Sequence, residues 1–92
     1  MANYVIKNDG TKEPFDSEKI KRAIMTAAQE ANLSEERKNE IVEQVAGTAI
    51  AMAEGKEEIA TSEIKQKILS ELDKIESSVS AAWRNYEKQK GA

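Results

Sequence analysis

The sequence predicts one α+β domain in which a β-hairpin precedes a series of amphipathic helices. Strand-forming residues followed by a tight-turn sequence open the chain, and apolar residues recur at helical spacing through the rest. With 92 residues, of which 34% are charged and 39% apolar, the chain has room for one modest core. No internal repeat or linker interrupts it, so we expect a single domain over residues 1–92.

The hairpin is predicted over residues 4–15. Residues 4–7 (Tyr-Val-Ile-Lys) favour a strand, and residues 8–10 (Asn-Asp-Gly) tolerate the positive φ of a tight turn. Residues 11–13 (Thr-Lys-Glu) form the return strand. Pro14 has no backbone donor, so it is expected at a sheet edge or at the end of the strand.

Two helices are predicted to follow the hairpin. The first opens at Asp16, a capping residue, and carries an apolar stripe at helical spacing: Ile20, Ala23, Ile24, Ala27, Ala28 and Ala31. Ser34 is the predicted N-cap of the second helix, whose inner face holds Ile41, Val42, Val45, Ala46, Ala49, Ile50 and Ala53. Gly55 occupies the position where a left-handed residue commonly ends a helix.

The last third of the chain leaves two alternatives open. Residues 57–60 fit either a strand or a turn, and Thr61 or Ser62 is expected to cap a third helix. Residues 77–78 (Ser-Ser) suggest a further break. Without Gly or Pro there, one long helix and two shorter helices are both compatible with the pattern.

The composition argues against an enzyme. The chain contains no Cys and no His, which excludes a disulfide scaffold, a cysteine-ligated zinc site and a cysteine nucleophile in this sequence. Histidine is also the side chain that most often carries acid–base catalysis near neutral pH. We therefore expect a non-catalytic domain.

The charge pattern indicates where an anion would bind. The net charge of −3 is atypical of a nucleic-acid-binding protein, and we expect no direct nucleic-acid partner. Residues 1–22 carry five cations against four acids, whereas residues 23–92 carry nine against thirteen. An anionic ligand is thus expected near the N-terminus. The chain shows neither a signal peptide nor the ~20-residue apolar run of a membrane span, so a cytoplasmic location without membrane contact is expected.

Three segments are informative together: residues 5–20 (Val-Ile-Lys-Asn-Asp-Gly-Thr-Lys-Glu-Pro-Phe-Asp-Ser-Glu-Lys-Ile), 58–64 (Glu-Ile-Ala-Thr-Ser-Glu-Ile) and 81–86 (Ala-Ala-Trp-Arg-Asn-Tyr). In this order and spacing they resemble the ATP-cone family. Its members open with an apolar pair, Lys-Arg and Asp-Gly, and close with an alanine–aromatic helix. The resemblance spans nearly the whole chain.

The resemblance implies a bundle of four helices capped by a small three-stranded sheet that binds ATP or dATP. Such domains usually lie at the N-terminus of ribonucleotide reductases, where they switch subunit assembly, and also occur in the zinc-ribbon repressor of reductase genes. It implies a regulatory module in which the bound nucleotide, with Mg²⁺ as a companion ion, controls association. The associating partner is a second copy of the chain or a ribonucleotide reductase-type protein.

The phosphates would have to be held without a P-loop, because the sequence lacks that motif. Lys7, Lys19 and Arg22 could converge on a polyphosphate near the first helix N-terminus, whose free amides and dipole favour anions. The alternative is that these cations form an ordinary solvated face.

The base pocket is suggested by three apolar residues. Val5, Phe15 and Ile20 resemble family positions that line this pocket, although apolar residues at such places also form plain core. Trp83 and Tyr86 are interpreted as core aromatics and not as platforms on which a base stacks.

The remaining candidates surround the ribose and the phosphates. Glu13 and Asp16 resemble positions near the ribose and base, and Asp16 has the alternative role of an N-cap. Thr61 and Lys65, one helical turn apart, resemble positions that reach the nucleotide from the opposite side, whereas Thr61 could also be only a cap. Lys88 is a candidate that equally suits a helix C-terminus.

Asn8 departs from the family pattern. Members commonly have Arg after the Lys, and Asn supplies neither the charge nor the bidentate geometry of a guanidinium. This substitution motivates an alternative function, a protein–protein interaction module that keeps the fold but has lost nucleotide binding.

Overall fold

A three-stranded sheet caps four helices, which confirms the predicted α+β class. The computed structural model describes the backbone of residues 4–91 and the side chains of residues 4–89. Its elements are, in chain order, β1 (Tyr4–Ile6), β2 (Lys12–Pro14), α1 (Ser17–Glu30), α2 (Glu35–Glu54), β3 (Glu58–Ala60), α3 (Thr61–Ile75) and α4 (Ser77–Gly91). Residues 1–3 and 92 lie outside the described residues. They include the start of the region considered for a signal peptide and both ends of the predicted domain.

The hairpin forms as predicted, with a turn fixed by its own side chains. Gly10 has φ of +88°, and its N–H donates to the Lys7 carbonyl at 2.9 Å. Asp9 accepts from the Thr11 N–H at 2.9 Å. Hydrogen bonding by the Thr11 side chain, and then by its backbone N–H, lowers the pKa of the Asp9 carboxyl group below its ordinary value. Pro14 ends β2 at an edge of the sheet, where its missing donor costs no ladder hydrogen bond.

The sheet has the order β2-β1-β3, which places β1 in the centre. β1 pairs with β2 antiparallel and with β3 parallel, so Val5 lies between Glu13 and Ile59. The extended link left open by the sequence is therefore a strand. Its pairing returns the start of α3 to the hairpin.

The caps of α1 and α2 follow the sequence in part. Asp16 accepts from the amides of Glu18 and Lys19, and Ser34 accepts from the amide of Arg37, as expected for N-caps. The prediction for Gly55 was wrong: its φ is −78°, in the right-handed region. Here the helix ends with Gly55 in helical conformation, so no left-handed residue is required.

The predicted side-chain cap of α3 was also wrong. The N-cap is Ala60, which offers no side-chain oxygen, and Thr61 is the first helical residue. The Thr61 hydroxyl instead donates to the Ile6 carbonyl at 2.9 Å and attaches the helix to the sheet. A long-range bond of this kind has no local sequence signal.

The C-terminal region consists of two helices that meet at Glu76, whose φ and ψ are −160° and 86°. Arg37 of α2 holds this junction, since its Nε lies 3.1 Å from Glu76 and its Nη2 donates to the Ile75 carbonyl at 2.9 Å. Further along α4, Arg84 forms a bidentate pair with Asp73 at 3.0 and 2.8 Å. These contacts fix α3 against α4.

The helices pack in a ring, α1 on α2, α2 on α3, α3 on α4 and α4 on α1, around one apolar core. Its members include Ile24, Ala28, Ile41, Val45, Ala49, Ile59, Leu72 and Val79, each at most 1% exposed. No helix within residues 4–91 is both long enough and apolar enough to cross a bilayer.

Candidate functional site

A cleft of about 340 Å³ opens where the hairpin meets the helices. Residues from β1, β2, α1, α3 and α4 line it, and the residues between β2 and α1 complete its rim. The volume lies at the lower end of the about 300–1,000 Å³ that small-molecule sites occupy. The cleft is therefore large enough for a small ligand.

Three lysines from separate parts of the chain line the cleft. Lys7 follows β1, Lys19 lies in the first turn of α1, and Lys65 lies in the second turn of α3. The amines of Lys7 and Lys19 converge on the carboxylate of Glu13, at 3.3 and 3.8 Å. The structure therefore brings together two of the three cations expected to converge there, Lys7 and Lys19, whereas Arg22 does not line the cleft.

Lys65 is paired across the cleft by a residue of α4. Its amine donates to Glu87 at 3.2 Å, and both side chains are about one-third to two-fifths exposed, at 42% and 34%. An exposed pair of this kind contributes little to stability, ~0–1 kcal/mol. It can exchange partners at small cost.

The charges that line the cleft nearly balance. Its three lysines face the carboxylates of Glu13, Asp16, Glu30 and Glu87. An incoming polyphosphate therefore gains the lysines only by displacing carboxylates or by bringing a cation of its own. Among the side chains that the structure describes, no cluster of three or more acids is arranged to hold a metal ion.

The apolar wall contains the predicted pocket residues. Val5, Phe15 and Ile20 are half-buried, line the cleft and also pack against the core. Ile64 and Ile68 of α3 extend this wall toward the bundle. A flat heteroaromatic ring would find apolar side chains here and charged groups at the rim, as in most small-molecule sites.

Asp16 and Thr61 line the cleft while already making structural bonds. One Asp16 oxygen accepts from two helical amides, so the first turn of α1 is partly saturated as an anion site. Thr61 donates its hydroxyl proton to Ile6 but keeps a lone pair that can accept from a ligand.

Three of the predicted site residues do not line the cleft. Asn8 lies exposed in the hairpin turn, and Arg22 and Lys88 are exposed on α1 and α4. The other nine line it: Val5, Lys7, Glu13, Phe15, Asp16, Lys19, Ile20, Thr61 and Lys65. The position of Arg22 around the helix explains why it does not line the cleft. The cleft-lining face of α1 runs from Lys19 through Ala23 and Ala27, and Arg22 lies to one side of that face.

Comparison with known proteins decides the family. The sequence profile described as the ATP cone domain matches residues 3–91. The chain belongs to the ATP-cone family. This confirms the resemblance that the three sequence segments indicated.

Curated relatives of this ATP-cone domain are named as transcriptional repressors NrdR. Those of Lactobacillus acidophilus and Lactobacillus helveticus are each 37% identical over 68 residues, covering 74% of this chain and 43% of the relative. That of Lactobacillus delbrueckii subsp. bulgaricus is 36% identical over 72 residues, covering 78% and 45%. The chain thus spans less than half the length of these relatives.

The names of these relatives correct one expectation. The prediction of no direct nucleic-acid partner was wrong, because transcriptional repressors act on DNA. Net charge alone misled us, since it describes only the sequence in hand and reports on unspecific attraction to phosphate. The same names describe repressors and not catalysts, in agreement with a regulatory domain.

Several residues of the ATP-cone cleft were not among the predicted site residues. On α1 the cleft is also lined by Ala23, Thr26 and Glu30, which share one face of the helix, and on α4 by Trp83, Tyr86 and Glu87. Spacing of three and four residues was the available signal. Periodicity shows that such residues share a face, but not whether that face meets the core or a cavity.

Proposed function

We propose that this ATP-cone domain binds ATP or dATP in the cleft and thereby controls its association with a second copy or a ribonucleotide reductase-type partner. Residues 1–92 act in this proposal as a single ATP-cone-like domain. The observation that carries the proposal is the convergence of the Lys7 and Lys19 amines on one carboxylate, beside an apolar cleft that Lys65 also lines.

The lysines supply the phosphate end of the site. The Lys7 and Lys19 amines already share one anion, the Glu13 carboxylate, at 3.3 and 3.8 Å. An oxyanion close to that place would meet the same two amines, and Lys65 would join from α3 once released from Glu87. Lysine is a common phosphate ligand that acts as a point charge, so flexible amines suit this role.

The apolar wall supplies the base end. Val5 and Phe15 hold the hairpin side of the cleft, and Ile20 holds the α1 side. Glu13, freed from the lysines by the phosphates, has carboxylate oxygens that accept from an adenine amino group or a sugar hydroxyl. Asn8 does not line the cleft, so the replacement of the family arginine at this position leaves Lys7, Lys19 and Lys65 in place.

The regulatory step follows from where the cleft lies. A ligand in it touches the hairpin, α1, α3 and α4 simultaneously, and any difference in how ATP and dATP contact these elements biases their relative positions. Such a differential affinity is what a ligand needs to shift a conformational or association equilibrium. Transcription is among the processes that this response would control, given the names of the relatives.

Mg²⁺ is expected to improve binding. The balanced charge of the cleft means that a free triphosphate would approach four carboxylates as well as three lysines. A magnesium ion carried by the nucleotide offsets this repulsion and needs no metal site built from the protein.

The test is calorimetric titration of the purified chain with ATP, dATP and inorganic tripolyphosphate, each with and without Mg²⁺, beside sedimentation velocity with the same ligands. We expect saturable binding of ATP and dATP, tighter with Mg²⁺, weaker binding of tripolyphosphate, and a different sedimentation coefficient in the presence of at least one nucleotide. Absence of heat at millimolar ATP with Mg²⁺, together with ligand-independent self-association, would favour the alternative of an interaction module without a ligand.

A further inference from the structure

The indole of Trp83 presents a buried donor that the protein itself does not use. Trp83 lies in α4, is only 7% exposed and lines the cleft. Its Nε1 is buried and has no hydrogen-bond partner among the residues that the structure describes. Buried tryptophan N–H groups usually find a partner, and one left without a partner destabilises the protein that carries it.

We propose that the Trp83 Nε1–H is held for the ligand and donates a hydrogen bond to a ring nitrogen of the bound purine, an inference that rests on the proposed nucleotide site. Trp83 would then be a specificity-determining residue and not only a core aromatic, as the sequence suggested.

The lining of the cleft favours a base as the hydrogen-bond acceptor. Ile64 and Ile68 are buried in the wall on the α3 side of the cleft, whereas the lysine amines lie at its more exposed rim. A phosphate is thus expected at the rim and an aromatic ring in the apolar part. Purine rings carry acceptor nitrogens with no proton of their own, which matches a donor that has no lone pair to offer.

The Nε1 atom is closed to solvent in the free protein, so the proposal requires the side chains around it to move when the ligand binds. Glu87 lies four residues after Trp83 on the same face of α4, and its carboxylate is held by Lys65 at 3.2 Å. When a phosphate takes Lys65, the side chain of Glu87 is released from that pair. In the proposal, this release accompanies the movement that opens the indole N–H to the base.

The single tryptophan allows a nearly isosteric test. Biosynthetic replacement by β-(3-benzothienyl)alanine exchanges the N–H of residue 83 for sulfur, and Trp83→Phe provides a second variant that needs no unnatural residue. We expect either change to weaken ATP binding about five- to thirtyfold. The sulfur replacement should leave the urea stability equal to or above that of the unmodified protein, because the lost donor had no partner in the free state. Trp83→Phe should lower the urea stability, because the smaller ring leaves a cavity in the core, so its ATP binding is measured under conditions where it is folded. Tyr4→Phe, which alters an aromatic residue outside the cleft, should leave ATP binding unchanged.

Two further measurements identify the acceptor. In ¹⁵N-labelled protein the one indole N–H resonance should move downfield on addition of ATP. Of the 1-deaza, 3-deaza and 7-deaza analogues of ATP, one should bind the unmodified protein several-fold more weakly than ATP does, and this difference should vanish in Trp83→Phe.

The outcomes separate the two proposals. If ATP binds the unmodified protein but binds both variants equally well, or if all three analogues bind as ATP does, the role of Trp83 is refuted and the nucleotide site stands. If the unmodified protein binds no ATP at all, both proposals fail.

Discussion

Replacing Lys19 by Gln tests whether the lysine cluster recognises phosphate. Two lysines pair with Glu13, and Lys19 is the more exposed of them, with 72% of its side chain accessible. Its amine lies 3.8 Å from the Glu13 carboxylate. The substitution removes the charge, preserves most of the side-chain length and leaves the first turn of α1 with a good helix former. The fold should therefore be retained.

The expected loss follows from the exposure of the amine. Two unit charges 4 Å apart attract by about 1 kcal/mol in water and by about 4 kcal/mol at an effective dielectric constant of 20. Because Lys19 is largely solvated, the lower value applies. Breaking the ion pair between Lys19 and Glu13 to contact a phosphate costs little free energy, since an exposed ion pair contributes only ~0.2–1 kcal/mol. A net loss of about 1 kcal/mol corresponds to roughly fivefold weaker binding of ATP.

The matched control is Lys21→Gln, which removes the same charge from the same helix at a residue that does not line the cleft. At 0.15 M salt, charges farther apart than about 8 Å are largely screened, so this variant should change the affinity less than ~twofold. Calorimetry of both variants at low and high salt is the assay. The gap between them should persist at both salt concentrations, because a direct contact is screened less than a distant charge.

Equal weakening by the two variants would refute the reasoning. It would mean that the net charge of the domain attracts the nucleotide and that no particular amine at the cleft contacts it. An unchanged affinity in Lys19→Gln, with normal binding by the unmodified protein, would remove Lys19 from the site.

Three further predictions concern the scaffold that holds the cleft. The bidentate hydrogen bonds from Arg84 lower the pKa of Asp73 from 3.8 to about 2, so the stability contributed by this pair is present above pH 3.8 and lost as the pH falls through about 2. Urea unfolding between pH 5 and 2 should show this decrease in stability. Asp73→Asn should abolish the part of the decrease that comes from this pair. Ile41→Ala should lower the free energy of unfolding by about 2–5 kcal/mol, because the side chain is fully buried. The measurement is urea unfolding at pH 7, and a decrease of less than about 1 kcal/mol would contradict the prediction. Thr61→Val keeps the shape but removes the bond to the Ile6 carbonyl, so we expect a loss of about 1–2 kcal/mol and faster amide exchange in β1, whereas unchanged exchange would show that this bond does not hold the sheet to α3.

Local sequence signals predicted most of the fold because they act within a few residues. Asp16 and Ser34 cap their helices through side chains that reach amides two or three residues away. Gly10 adopts the positive φ that the turn sequence required. By contrast, Thr61 looked like a cap but bonds to a strand near the other end of the chain, a distance that no local pattern reports.

The candidate site was predictable where side-chain chemistry is distinctive. Lysines next to a turn and a helix start indicated an anion site, and both Lys7 and Lys19 line the cleft. Trp83 was interpreted as core because an aromatic residue at helical spacing looks the same whether it faces apolar neighbours or a cavity. Its Nε1 has no hydrogen-bond partner within the part of the chain that the structure describes, and this depends on how side chains far apart in the sequence are placed.

The parallel pairing of β1 with β3 has a kinetic consequence. Val5 aligns with Ile59, so more than half of the 92-residue chain must be ordered or looped before these strands can meet. The hairpin and the α3–α4 pair rely on nearby residues and can form early, whereas this closure carries the entropy of a long loop. Lys65 reaches the rim shared by Lys7 and Lys19 only after that closure, so a ligand that bridges them should mainly slow the departure of β3 and lengthen the lifetime of the folded domain.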